Sequence, residues 1–538
     1  MWQRLGILRK LCWLSLALCL TFAGVPDTAS GDAEGWLVRG GNARRTGRAQ
    51  VAGPQSGRVA WSYLASDGLG IHMEPTVTRD GVFFGTWGLI RKHGESPASW
   101  DRFDGAIVGL ELGSGRPLWE PVRPGVTPYA YAFAGRKATL QDRGAGKGLH
   151  MSAYNGTVEG SAAVDPDNGT LYFGRGDGRL YAVDPRSGAI AWSFQTGDPA
   201  RSDDPESGGQ IVGGPLLTPG GSIVFATYGV PASDEPPGRV RHQTHAIYAV
   251  NRDGTLRWRH PAQGSLPNPF MAPVALSRSG KRLYAITLRA DTRHPAHLLA
   301  LDAESGEPIW EMTLDDRSGQ DLAVGVDGRI YVAGLVEDAF GRKPAAFAVV
   351  DQGQRGGLAW TTSFAADRPR AHGAGGLALD EDDVAVRHVY VSTTNAQDSS
   401  ARGGRLHRLD PATGEIGASF DPQHADPRGS GGFTDVTLDS DGTIYAGTRG
   451  SAGGLLRRAV QARMYALRLD ASGFGVLWSV AVVGSLDGAS PAIGPDGGLY
   501  FGSTAALRSA DPLEPRPASQ AVPGADPVFY AVRDAPSR

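Results

Sequence analysis

Past residue 19 the chain has no cysteine: of its 538 residues only Cys12 and Cys19 are cysteines. If the first two dozen residues are removed, the remaining protein can form no disulfide, no Cys-ligated zinc site and no covalently attached c-type haem. Charge of one sign is also lacking. There are 53 basic residues against 56 acidic ones and no basic run, which argues against a nucleic-acid partner. Long hydrophobic runs are equally scarce. The best candidate, Leu11 to Phe22, is about a dozen residues, short of the ~20 that a spanning helix needs. Arg4, Arg9 and Lys10 precede it and the small residues Thr21 and Ala23 stand at its end, so residues 1–30 read as a signal peptide cleaved near 23 or 30. Leu18 before Cys19 fits a lipoprotein signal poorly. The expectation is a periplasmic or secreted protein with no membrane span after signal removal.

What the chain has in abundance is glycine, 76 residues, beside 36 prolines, while 41% of residues are apolar. That is too hydrophobic for disorder and points to many turns. Trp61, Trp119, Trp192, Trp258, Trp310, Trp360 and Trp478 share one context, clearest in TLYFGRGDGRLYAVDPRSGAIAWSFQTG from Thr170. A glycine stands four residues before six of them, and one residue further back, at Gly473, before the last. LYFG and LYAVD are short β-rich runs, and Asp-x-x-Ser/Thr-Gly is a tight turn in which the aspartate caps and the glycine takes a positive φ. With an upstream run such as SAAVDPDNG, each unit has four antiparallel strands, A to D.

A single sheet of this kind cannot bury both faces, but radially stacked sheets bury one another. The tryptophans are therefore assigned to the blade junctions. Ala418 holds the slot in one unit and predicts a looser junction, filled in part by Phe420. The B-strand aromatics Phe83, Tyr172, Phe225, Tyr284, Tyr331, Tyr390, Tyr445 and Tyr500 count eight units. The chain ends in VFYAVRD without a Trp strand, and GRVAWSYLA from Gly57 is a Trp strand without partners. The expected fold is all-β: an eight-bladed β-propeller over 57–538, its ring closed by the N-terminal strand joining the C-terminal blade. Residues 31–56 form a lead segment.

The runs AVDPRSGAIAW and ALDAESGEPIW, with the opening WLVRGGNARRTG from Trp36, resemble the PQQ-repeat (quinoprotein-like) superfamily. That resemblance covers about 500 residues and implies an architecture and an envelope compartment. The superfamily includes PQQ-dependent alcohol dehydrogenases, a propeller lipoprotein of the outer-membrane assembly machine, and tetrathionate hydrolases. The vicinal cysteine pair usual in the dehydrogenases has no counterpart here.

Tight A–B and C–D turns leave the long segments on one face: B–C connections near 87–106, 229–246, 334–345, 393–404, 448–463 and 504–527, and D–A connections 121–158, 198–212 and 421–432. That face is the expected working surface. Counting back from the B-strand aromatics puts Glu74, Asp321 and Asp435 at equivalent channel-rim positions and Glu159 and Asp487 at another; His72, His150 and His372 also precede A strands. An acidic rim can attract a cation, a basic peptide or a metal, or be a hydrated mouth with no ligand. The pairs His242/His245 and His294/His297 lack a third ligand, Arg175-Gly176-Asp177 sits in a turn, and Asp439/Asp441 fall on the undecorated face. No metal and no cofactor is expected, PQQ with calcium being the alternative that the resemblance allows. Two classes follow: a monomeric, non-catalytic binding or scaffold protein meeting an envelope protein or small molecule at the loop-rich face, or an enzyme. The enzyme would be a PQQ oxidoreductase, or a quinone-free hydrolase or lyase using a funnel carboxylate.

Overall fold

A computed structural model describes residues 35–535 except 66–67, 72, 89–104, 125–157, 159, 199–207, 212, 229–243, 271, 290–293, 339–340, 365–372, 395–403, 426–431, 451–460, 487–489 and 505–526. The signal-peptide assignment and most of the long loops fall outside that set.

Eight four-stranded antiparallel sheets form the ring. Blade 2 is typical, running Ala163–Val164, Leu171–Gly174, Arg179–Val183 and Ile190–Gln195 in order from the channel outward. Its B strand is wholly buried because both sheet faces are covered by neighbouring blades, which is why LYFG is continuously apolar instead of alternating. Blade 8 joins Ala492–Ile493, Leu499–Gly502 and Val528–Val532 to Val59–Leu64, so the first and last parts of the chain share one sheet. Closure of this kind removes an open edge. Among the described residues the only helix is the single turn Pro422–Ala425.

Each junction tryptophan lies flat on a glycine of the following blade. A Cβ on Gly188 would come within 2.7 Å of the Trp119 ring, and one on Gly306 within 2.5 Å of Trp258. Both glycines have positive φ, 71° and 73°. The glycine that precedes six of the seven tryptophans in sequence thus serves the previous blade's ring, Gly473 before Trp478 being the exception. Several indoles also donate to a carbonyl of that next turn, as Trp119 does to Pro185 O at 3.0 Å and Trp192 to Arg252 O at 2.9 Å. Ring closure obeys the same rule: Trp478 donates to Pro54 O and packs on Gly57.

The junction after Ala418 is filled differently. Gly473 has nothing against its open side, and the space holds Phe420 together with Phe474 from the following blade, their centroids 6.2 Å apart. Half of that replacement, Phe474, comes from the opposite side of the junction.

Two segments depart from expectation. Residues 334–345 are largely strand: Arg329–Asp338 pairs with Gly341–Asp351 out to Asp338↔Gly341, a hairpin well beyond its four- and five-residue counterparts. The segment around Trp119 is not a regular D strand. Pro117 and Pro121 withhold ladder donors, leaving only the bridges Ile107↔Val122 and Leu110↔Pro117. The fourth strand of blade 1 is instead Gly35–Trp36, paired inside the A strand Thr76–Thr78.

Candidate functional site

The lead segment lies inside the channel. From Gly35–Trp36 it crosses the innermost strands one after another: Val164 N–H donates to Leu37 O (2.9 Å), Leu276 to Ala43 O (2.8 Å), Val324 to Arg44 O (2.9 Å), Leu379 to Thr46 O (2.8 Å) and Leu438 to Gly47 O (2.8 Å). Four of these donors are the last residues of their A strands, so this plug fills the channel at the tight-turn end. Gly40, Gly41, Arg45 and Gly47 have positive φ and let the segment turn from blade to blade instead of forming a strand. A small recess, with room for about one water molecule, lies between it and Ile493, Gly494 and Pro495 of blade 8.

Arginines anchor the plug. Arg45 is 3% exposed and donates through Nε to Val274 O (3.0 Å), through Nη1 to Arg39 O (2.6 Å) and through Nη2 to Pro215 O (3.3 Å) and Gly214 O (3.4 Å). Burial, then the neighbouring Arg39 charge, draws its pKa down. Arg44 pairs with Glu381 at 2.6 Å and Arg48 with Asp380 at 2.7 Å.

Arg39 meets the acidic rim. Three of the rim positions read from the sequence converge on it: its Nη2 lies 3.5 Å from Asp435 Oδ2 and 4.0 Å from Asp321 Oδ1, and Glu74 adds its field. These carboxylates sit three or four residues upstream of the plugged strand ends, about 10 Å nearer the loop-bearing mouth. Glu74 is 5% exposed and accepts from Trp36 Nε1 and from Gly40 N (2.8 Å). Burial pushes its pKa up to about 8 against those donors and Arg39. Asp321 accepts from Leu322 N (3.0 Å) and Leu377 N (3.4 Å), and burial, with the Asp435 charge, lifts it to about 6 against the pull of Arg39. Asp435 accepts from Ser490 Oγ. Burial opposes the Arg39 charge, but the three acids outweigh it and raise its pKa. The Asp321 and Asp435 side chains keep 14% and 19% exposure, so they form the wet floor of a funnel.

Glu159, Asp487 and His72 lie outside the described residues, as do His150, His242 and His372. In the Arg175-Gly176-Asp177 turn, Arg175 is 1% exposed and pairs with Asp177 at 2.7 Å, which also accepts from Tyr181. His297 is taken by Glu311 at 2.7 Å. Asp439 faces the plug, accepting from Gly53 N at 3.0 Å. Sequence reasoning missed Arg39 and the plug. The available signal was four arginines, Arg39, Arg44, Arg45 and Arg48, and no acid across residues 35–54.

Closed ring, repeat and channel define an eight-bladed propeller of the PQQ-repeat superfamily. Residues 23–230 and 243–415, more than two-thirds of the chain, match the family described as outer membrane protein assembly factor BamB, and the chain belongs to that family. Over 92 residues, 17% of the chain, it is 33% identical to quinohemoprotein alcohol dehydrogenase ADH IIB of Pseudomonas putida, covering 13% of that protein's length. The crystal structure of quinohemoprotein alcohol dehydrogenase from Comamonas testosteroni superposes with a TM-score of 0.55 at 14% identity, covering 95% of this chain and 82% of that one. BamB from Moraxella catarrhalis gives 0.47 at 13% identity, covering 89% and 98%.

The quinohaem relatives raise the question of a quinone with a metal. Among the described residues no three acidic or histidine side chains are arranged to hold a metal ion. At the funnel floor the Arg39 guanidinium already stands between the carboxylates that a divalent cation would bridge. The described floor does not fit calcium.

Proposed function

We propose that this chain is a non-catalytic binding propeller of the cell envelope, working through the loop-bearing face around the funnel. The observation that carries the reading is the plug. The chain's own residues 35–54 fill the channel from the tight-turn side, and Arg39, Trp36, Gly40 and Ser490 engage the three floor carboxylates. What is left to a partner is the partly exposed acidic pair Asp321 and Asp435 on the far side of the plug, suited to the basic surface of an envelope protein or a small cation. Membership of a family described as an assembly factor supports the same reading. The test is in-cell crosslinking from single cysteines introduced into the 229–243 and 451–460 loops, in a protein otherwise free of thiols once residues 1–23 are gone. One discrete envelope adduct, lost when the loops are shortened, is expected; a protein without adducts that turns over a substrate refutes it.

A second reading rests on one observation. Asp321, partly exposed and raised to about 6 beside Asp435, is tuned for proton transfer near neutral pH. A hydrolase or lyase of that kind would lose its turnover in Asp321→Asn and show a pH profile with a limb near 6.

A further inference from the structure

We propose that the channel is a peptide-binding site occupied in cis, and that residues 35–54 are its displaceable ligand instead of a fixed part of the propeller core. The inference does not depend on what the loop-bearing face binds.

Completeness of the ring without the segment is the first argument. Blades 2 to 8 each have four strands drawn entirely from residues 59–532, and only blade 1 counts the plug among its strands. The second is the kind of contact made. Residues 35–54 give the innermost strands of blades 1, 2, 4, 5, 6 and 7 main-chain hydrogen bonds, as an added peptide does at a sheet edge. Buried apolar anchors are few, namely Trp36, Leu37, Val38 and Ala49.

Charge is the third argument. The segment carries four arginines and no acid. Facing them the ring presents Glu74, Asp321, Asp435, Asp380 and Glu381, with Asp439 on the Gly53 amide. Paired guanidinium–carboxylate contacts and carbonyl-bound guanidinium are how extended basic peptides are recognised. The site therefore selects an extended, glycine-punctuated, arginine-bearing peptide. A partner segment of that chemistry would compete with the resident one and uncover the acidic channel.

Gln55 and Ser56, where the plug leaves for the blade 8 strand, are exposed. A specific protease site inserted between them allows the full-length folded protein to be nicked there. In mild denaturant, with tryptophan fluorescence unchanged, a labelled synthetic peptide of residues 35–54 should exchange with the resident fragment at one per ring. Arg39→Ala with Arg45→Ala in the peptide should weaken uptake at least about 10- to 100-fold. The proposal is overturned if the fragment leaves only as the ring unfolds, or if it leaves a folded ring that takes up no peptide. Hydrogen exchange on the uncut chain decides independently. The Leu276, Val324, Leu379 and Leu438 amides should exchange through a local opening, at lower denaturant than the B–C ladder amides of the same blades. Exchange only with global unfolding contradicts it.

Discussion

At the outer circumference seven of the eight junctions each have an indole pressed on a glycine, whereas at the channel one stretch, residues 35–54, bonds to the innermost strands of six blades. The rim is periodic, apolar and repeated, so losing one element leaves the others intact. The channel is aperiodic, cationic and made once. Two kinds of cohesion therefore hold the ring. Area burial between neighbours glues it from outside, and directional bonds to a shared segment brace it from within.

The largest effect is expected from breaking a rim element. Trp310 is 5% exposed and donates to Asp351 Oδ1 at 3.1 Å, so Trp310→Ala empties a packed junction and removes one of the two donors to that oxygen, Gly353 N being the other. A loss of about 3–5 kcal/mol is expected in urea unfolding. A cost under about 1 kcal/mol would show that the indoles are surface decoration.

Breaking the brace should cost less. Arg45→Ala removes a buried guanidinium from four carbonyls, those of Arg39, Val274, Gly214 and Pro215. A loss of about 2–3 kcal/mol is expected, with early exchange confined to A-strand ends. If the B and C strands loosen first, plug and rim are one unit and the comparison fails.

The junction after Ala418 sharpens the contrast, because two phenylalanines stand where an indole stands elsewhere. Phe474 is half-buried, touching Tyr390 and Phe420. Phe474→Ala should cost about 1–2 kcal/mol, less than Trp310→Ala, read by the same denaturation.

These differences explain what was legible in the sequence. The junctions could be read because Gly188, Trp192 and their equivalents recur at fixed offsets, and a repeated hydrophobic contact leaves a repeated spelling. Glu74, Asp321 and Asp435 could be placed at one level because they count back from the same buried aromatics. Arg39 could not, because its partners come from blades 1, 5 and 7 and no periodicity points to it. The outer part of the hairpin, 334–345, reads as a loop from the sequence because Glu337, Asp338, Arg342 and Lys343 interrupt its apolar pattern.

The smallest effect at mildly acid pH is expected at Glu74, and its value lies in its pH dependence. Folding lifts this carboxyl from its usual range near 4.5 to about 8, mainly by burial. Between those limits the native state holds a proton that the unfolded chain has released. The group therefore stabilises the fold fully below about 4.5, and that contribution is lost as pH rises to about 8. Gln keeps an acceptor for Trp36 Nε1 and Gly40 N but cannot ionise. Glu74→Gln should match the parent near pH 4.5 and gain on it steadily to pH 8, by several degrees in Tm, with no further gain above. Asp321, lifted to about 6 by burial, would leave a residual slope of the same sign between about 4 and 6 in the variant. A variant that instead falls below the parent as pH rises would mean that Glu74 is ionised in place. The plug would then be held by an ion pair with Arg39 and not by a neutral carboxyl, and the inner brace would weaken on acidification rather than on alkalinisation.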